Sequence, residues 1–146
     1  MAIQILKAEV NLMENVKVEC SSRGFSFRLD QSEEGGGDNT AMCPGEALLS
    51  SLGGCKCMVA RMLSKSSEIS LENLRIELEA DFDPDGFTGK SKVAKIGLSR
   101  IVTRYFIKAN NTEEEMRQFI ERIESTCPIK DTIENPPEMN YEVTIE

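Results

Sequence analysis

Apolar and polar residues alternate with period two in several stretches of this chain. Val16, Val18 and Cys20 fall on one face of the first, and Phe25, Phe27 and Leu29 repeat the pattern beyond a turn at Ser21-Ser22-Arg23-Gly24. With residues 3–10 before them, these segments predict two or three antiparallel strands. The alternation recurs through Leu74, Ile76, Leu78, Ala80 and Phe82, which end in a turn at Asp83-Pro84-Asp85-Gly86. It returns within residues 93–108 through Ile101, Thr103, Tyr105 and Ile107, and Met139, Tyr141, Val143 and Ile145 predict a closing strand.

Two segments change period. Proline is favoured at the first position of a helix, and after Pro44 the residues Ala47, Leu48, Leu52, Cys55, Val59 and Met62–Leu63 follow at helical spacing. Leu49, Ser51, Met58 and Ala60 leave little of the circumference polar, and a helix apolar nearly all round is a buried one. It would be about 30 Å long, the width of a small domain. Later, Thr112 and Glu115 form a capping box ahead of an apolar stripe made by Met116, Phe119, Ile120 and Ile123. That helix should end near Cys127-Pro128, with a short helical turn through Glu134 before Pro136-Pro137 halts it. The order strands, long helix, strands, helix, strand predicts an α+β fold with antiparallel sheets around a long buried central helix. Residues 1–146 suit a single domain.

Charge and composition narrow the chemistry. A net charge of −8 repels phosphate backbones and argues against nucleic-acid binding. Histidine is absent, which removes histidine bases and nucleophile–histidine pairs as well as His-ligated zinc. Neither a metal nor a cofactor is expected. Residues 31–40 are glycine-rich and acidic; they read as a mobile connection, since no Gly-Lys-Ser/Thr follows as a phosphate cradle would require. No apolar run is long enough to span a membrane, and Lys7 and Glu9 interrupt the N-terminus where a signal peptide would be apolar, so a cytoplasmic location is expected.

The five cysteines (20, 43, 55, 57 and 127) form no secreted disulfide framework. Gly53 and Gly54 precede Cys55 inside the long helix, where each costs about 1 kcal/mol relative to alanine. Either another element packs tightly there or a substrate approaches the thiol. Cys55 and Cys57 lie about 200° apart round a helix and cannot bridge without unwinding it. Cys127 stands at a helix end, where it is either a small core residue or a reactive thiol. Without histidine a reactive thiol needs a cation, for which Arg23 and Arg28 in the first hairpin are candidates, with Glu46 as a carboxylate to hold one. Glu46 lies about 13 Å from Cys55 along one straight helix, so the two meet only if the helix bends at the glycines or a second subunit supplies the Glu.

Pro44 to Cys55, with Glu46, Ala47-Leu48-Leu49 and Leu52-Gly53-Gly54-Cys55, together with Cys127-Pro128-Ile129, resembles the OsmC/Ohr family of osmotically induced and organic hydroperoxide resistance proteins. Gly45 stands directly after the proline, where peroxidase members carry their Glu, and Glu46 follows one place later. The resemblance implies an intertwined homodimer with the long helices at its centre and two active sites at the interface. It further implies a peroxidase of organic hydroperoxides with Cys55 as peroxidatic thiolate, Cys127 as resolving thiol, and Glu46 and Arg28 assisting. The resulting disulfide would be reopened by a dithiol reductant, either a lipoylated protein or a small thiol. A thiol–disulfide redox or stress protein without strong peroxidase activity, and a non-enzymatic binding module, are the alternatives.

Overall fold

The computed structural model describes residues Met1 to Glu146. They form two compact units, residues 1–49 and 50–146.

The first unit holds a three-stranded antiparallel sheet, β1 (Glu9–Leu12), β2 (Val18–Ser22) and β3 (Phe25–Leu29), in the order β1-β2-β3. Residues 3–8 lie outside the sheet, so the first strand is shorter and later than the alternation predicted. Arg23 and Gly24 form a two-residue turn with both φ angles positive, 54° and 87°, which suits the twist of a tight hairpin. The glycine-rich segment after β3 is more built than a mobile connection. Asp30 is 2% exposed, and its carboxylate accepts the backbone N–H groups of Gln31, Asp38 and Thr40 and the Thr40 hydroxyl, the last at 2.6 Å. These donors hold the Asp30 carboxyl well below the usual range, led by the Thr40 hydroxyl. Gly37 is required there, because a Cβ would fall 2.3 Å from the Gln31 carbonyl oxygen.

The helix α1 (Pro44–Ser66) runs unbroken through Gly53 and Gly54. In the second unit β4 (Leu71–Phe82) pairs antiparallel with β5 (Leu98–Ala109), placing Ile76 opposite Tyr105 and Leu78 opposite Thr103. The turn expected at 83–86 is a short helix, α2 (Pro84–Thr88), because the Asp83 side chain caps it by accepting the Asp85 N–H. The helix α3 (Glu113–Thr126) starts on the predicted capping box, with Thr112 and Glu115 exchanging hydrogen bonds. The predicted short turn is α4 (Pro128–Glu134). Val59, Ala60, Phe119 and Ile123 form the core, with Leu71, Leu74, Tyr105 and Ile107 packed against it from the sheet.

Two expectations need correction. Residues 139–145 form no strand, and Met139, Tyr141, Val143 and Ile145 are all at least two-thirds exposed, because no strand of this chain pairs with them. Nor is α1 covered all round. Its buried positions are Leu52, Gly53, Lys56, Val59, Ala60 and Ser64, while Leu48, Met58 and Met62 are exposed. The sheet of β4 and β5 and the helix α3 pack against the side that carries Val59 and Ala60.

Candidate active site

Cys55 lies in α1 and packs against the core, and Cys127 forms the joint between α3 and α4. Phe119 and Ile123, both nearly fully buried, fix α3 against α1 and so determine where its last residue lands. Cys127 closes α3 by donating its N–H to the Ile123 carbonyl at 3.1 Å. The adjacent Pro128 then starts α4, whose first free N–H groups point back at the sulfurs. The Lys130 N–H donates to the Cys127 sulfur at 3.4 Å, and the Ile129 N–H lies near enough to Cys55 to favour its thiolate. The two thiols are neighbours, close enough for Cys127 to influence the ionisation of Cys55. Residues seventy-odd positions apart in sequence thus lie near each other, and Cys127 is 2% exposed.

Burial is the largest influence on Cys55 and pushes its thiol up. The Ile129 N–H works in the other direction and favours the thiolate. Cys127 opposes ionisation, through its hydrogen bond and through its own charge, and the positive charge of Lys56 favours it. Burial prevails, so the thiol stays above the ordinary range.

Lys56 is the residue that sequence reasoning missed. No role was expected for it from the sequence, yet it is 3% exposed. Its ammonium donates to the Thr103 hydroxyl at 3.0 Å and to Glu124 Oε1 at 2.9 Å, and lies 5.9 Å from the centre of the Tyr105 ring. The Tyr105 hydroxyl donates to the same Glu124 oxygen at 2.6 Å, and Lys130 Nζ lies 3.8 Å from the other. Burial disfavours the Glu124 carboxylate, but the hydrogen bonds from Tyr105 and Lys56, with the charges of Lys56 and Lys130, outweigh it and hold its pKa below normal. Tyr105 is pushed up by burial first, then by Glu124, Cys127 and Cys57, and remains a neutral donor. One signal was available in sequence: Lys56 falls four residues after Leu52 and three before Val59, on the inward stripe.

The remaining candidates have local roles in this chain. The Glu46 carboxylate accepts the Cys43 N–H at 3.4 Å at the start of α1. Arg28 is exposed on β3 and lies 4.0 Å from Glu19, its cross-strand neighbour. Arg23 sits in the hairpin turn with its guanidinium over the Phe25 ring. Of the two glycines, Gly53 is a packing position, since a Cβ would meet Leu78 Cδ1 at 2.6 Å, whereas Gly54 faces open space. Cys57 is half-buried, and burial raises its pKa. Cys20 is buried in the first sheet between Val10 and Phe27.

No helix is long and apolar enough to cross a membrane. None of the curated proteins matches the chain. Solved structures do. An OsmC-like protein from Mycoplasma pneumoniae superposes with a TM-score of 0.80 at 21% identity, covering 91% of this chain and 89% of that one. A Legionella pneumophila protein described as an organic hydroperoxide resistance protein OsmC and predicted redox protein gives 0.69 at 18% identity, with 92% and 93% covered. At these identities the likeness establishes the fold. The family description "OsmC-like protein" matches residues 36–142, a stretch that includes α1, both sheet strands of the second unit and both thiols of the site. The chain therefore belongs to the OsmC-like (OsmC/Ohr) protein family.

Proposed function

We propose that the protein is a thiol peroxidase that reduces organic hydroperoxides through Cys55 and Cys127. The observation that carries this reading is that Cys55 of α1 and Cys127 at the start of α4 lie close enough for Cys127 to influence the ionisation of Cys55. In the first step the Cys55 thiolate attacks the O–O bond of the hydroperoxide. The sulfur gains the distal oxygen as a sulfenic acid, and the alkoxide takes a proton and leaves as the alcohol. The Cys127 thiol then attacks the sulfenic sulfur, forming the disulfide and releasing water. A dithiol, such as a lipoylated protein or a small thiol, reduces the disulfide by exchange and becomes oxidised itself. Dependence on such a reductant favours the cytoplasm.

Thiolate formation requires more positive charge than Lys56 supplies, because burial still prevails at Cys55. Arg28, held by Glu46 and contributed by a second copy of the chain, fills that role in this reading. A guanidinium keeps its charge when partly desolvated, and a carboxylate offsets the cost of burying it. The exposed face of α1, with Leu48, Met58 and Met62, favours a homodimer that covers it. The raised Cys55 pKa also gives some support to a second reading, a thiol–disulfide protein with weak peroxidase activity.

Consumption of cumene hydroperoxide with dihydrolipoamide as reductant tests the proposal. Cys55→Ser should abolish turnover, and Cys127→Ser should react once and then accumulate over-oxidised Cys55. Undiminished turnover in Cys55→Ser refutes the peroxidase reading.

A further inference from the structure

Lysine is among the residues least often buried, and its ammonium sits on a flexible four-carbon stem. Lys56 is nearly fully buried on the inward stripe of α1, one residue after Cys55. The elements around it account for its place. From β5 come the Thr103 hydroxyl at 3.0 Å and the Tyr105 ring. From α3 comes Glu124 at 2.9 Å. At Gly53, three residues earlier, β4 meets α1 through Leu78 and Ile76, which are apolar. From α4 comes a like charge, Lys130, itself held by Glu124 and by Glu134 at 2.8 Å. Lys95 and Arg100 line the same hollow as Lys56, with Arg100 tied to Glu79 and Asp81. On α1 itself Lys56 is flanked by Cys55 and Cys57.

Glu124 stands at the centre of this arrangement. One of its oxygens takes both the Lys56 ammonium and the Tyr105 hydroxyl, the latter at 2.6 Å. The other faces Lys130, whose backbone N–H meets the Cys127 sulfur. A single carboxylate thus joins groups that neighbour both thiols. A lysine buried without a counter-charge tends towards the neutral amine, which would offer a thiolate nothing. A carboxylate within hydrogen-bond distance offsets the cost of keeping the charge there. We infer that Glu124 is a positioning residue for the thiol chemistry: it holds the Lys56 ammonium, charged and fixed, next to the cysteine that must ionise. The inference rests on the peroxidase reading only in taking Cys55 to react as a thiolate, and neither Lys56 nor Glu124 need touch a peroxide.

The test is the rate of Cys55 alkylation by iodoacetamide across a pH series, followed by mass spectrometry of the Cys55 peptide in the reduced full-length protein. Lys56→Met should move the profile up by at least about half a unit, so that Cys55 reacts about threefold more slowly at neutral pH and at the parent's limiting rate at high pH. Lys56→Arg, which keeps the charge, should recover most of the parent profile. Glu124→Gln should shift it in the same direction as Lys56→Met. Glu124→Asp, which keeps a carboxylate but draws it back by one methylene, should give a smaller shift and serves if Glu124→Gln does not fold. An unmoved profile in Lys56→Met, or equal slowing at every pH, would reduce Lys56 to a packing role and overturn the inference. A downward or absent shift in the Glu124 variants would also overturn it, since the carboxylate would then not act through the ammonium. Alkylation needs no peroxide. Shifted profiles without hydroperoxide turnover would therefore sink the peroxidase reading alone, and turnover with unmoved profiles would sink this inference alone.

Discussion

The buried pair of Lys56 and Glu124 gives the most discriminating stability prediction, because its two members are buried unequally. Lys56 is 3% exposed and Glu124 29% exposed. Replacing Lys56 with Met leaves a carboxylate that still receives the Tyr105 hydroxyl at 2.6 Å, has Lys130 at 3.8 Å, and reaches water. The loss should be about 1.5–3 kcal/mol, the range for one hydrogen bond to a charged group. Replacing Glu124 with Met instead strands an ammonium in the core with only the Thr103 hydroxyl, and leaves the Tyr105 hydroxyl without its acceptor. Breaking a buried pair from that side costs about 3–5 kcal/mol. The double variant removes both charges, so it should be more stable than the sum of the single losses predicts, by at least about 1.5 kcal/mol. Urea unfolding at one fixed protein concentration measures all three, since any association makes apparent stability concentration-dependent. Equal losses in the two single variants, or additivity within about 0.5 kcal/mol, would show that Lys56 is not the more deeply committed partner.

Three further outcomes follow from other parts of the chain. If a second copy supplies Arg28 and Glu46, Arg28→Met and Glu46→Gln should each raise the Cys55 pKa by at least about one unit, read as thiolate absorbance near 240 nm against pH; unchanged titrations in both would remove that pair from the site. Asp30 has a depressed folded pKa, so its contribution is complete above its unfolded value near 4 and is lost as pH falls through the folded one. Asp30→Asn should therefore speed amide exchange of residues 35–40 at neutral pH and flatten the acid limb of stability, and an unaltered acid limb contradicts the assignment. Sedimentation should find a dimer at micromolar concentration, and a folded monomer there would leave the exposed face of α1 unexplained.

Elements whose partners lie nearby in sequence were the legible ones. The Thr112–Glu115 capping box, the alternation along β4 and β5, and the stop at Cys127-Pro128 each depend on a few residues, and each appears where the pattern put it. Misreadings occurred where a distant partner decides. Lys56 is buried because Glu124, 68 residues later, receives it, and no local pattern announces that acceptor. The alternation at 139–145 is as regular as that of β4, but a strand needs another strand, and this chain offers none there. The loop after β3 looked unstructured for want of apolar residues, yet one buried carboxylate organises it. For the site, Cys55 and Cys127 were named from a motif, and the core made by Phe119 and Ile123 explains how they meet. Lys56, Glu124 and Tyr105 needed the three-dimensional structure.

The central claim is that Cys55 and Cys127 work as one redox unit, and mass spectrometry of the oxidised protein tests it most directly. The reduced protein is treated with one equivalent of cumene hydroperoxide, or of hydrogen peroxide for comparison, quenched with an alkylating agent and digested. A Cys55–Cys127 disulfide is expected, formed faster with the organic hydroperoxide, with Cys20, Cys43 and Cys57 alkylated. A Cys55–Cys57 bridge, or free alkylated thiols at both Cys55 and Cys127 after peroxide, would contradict it.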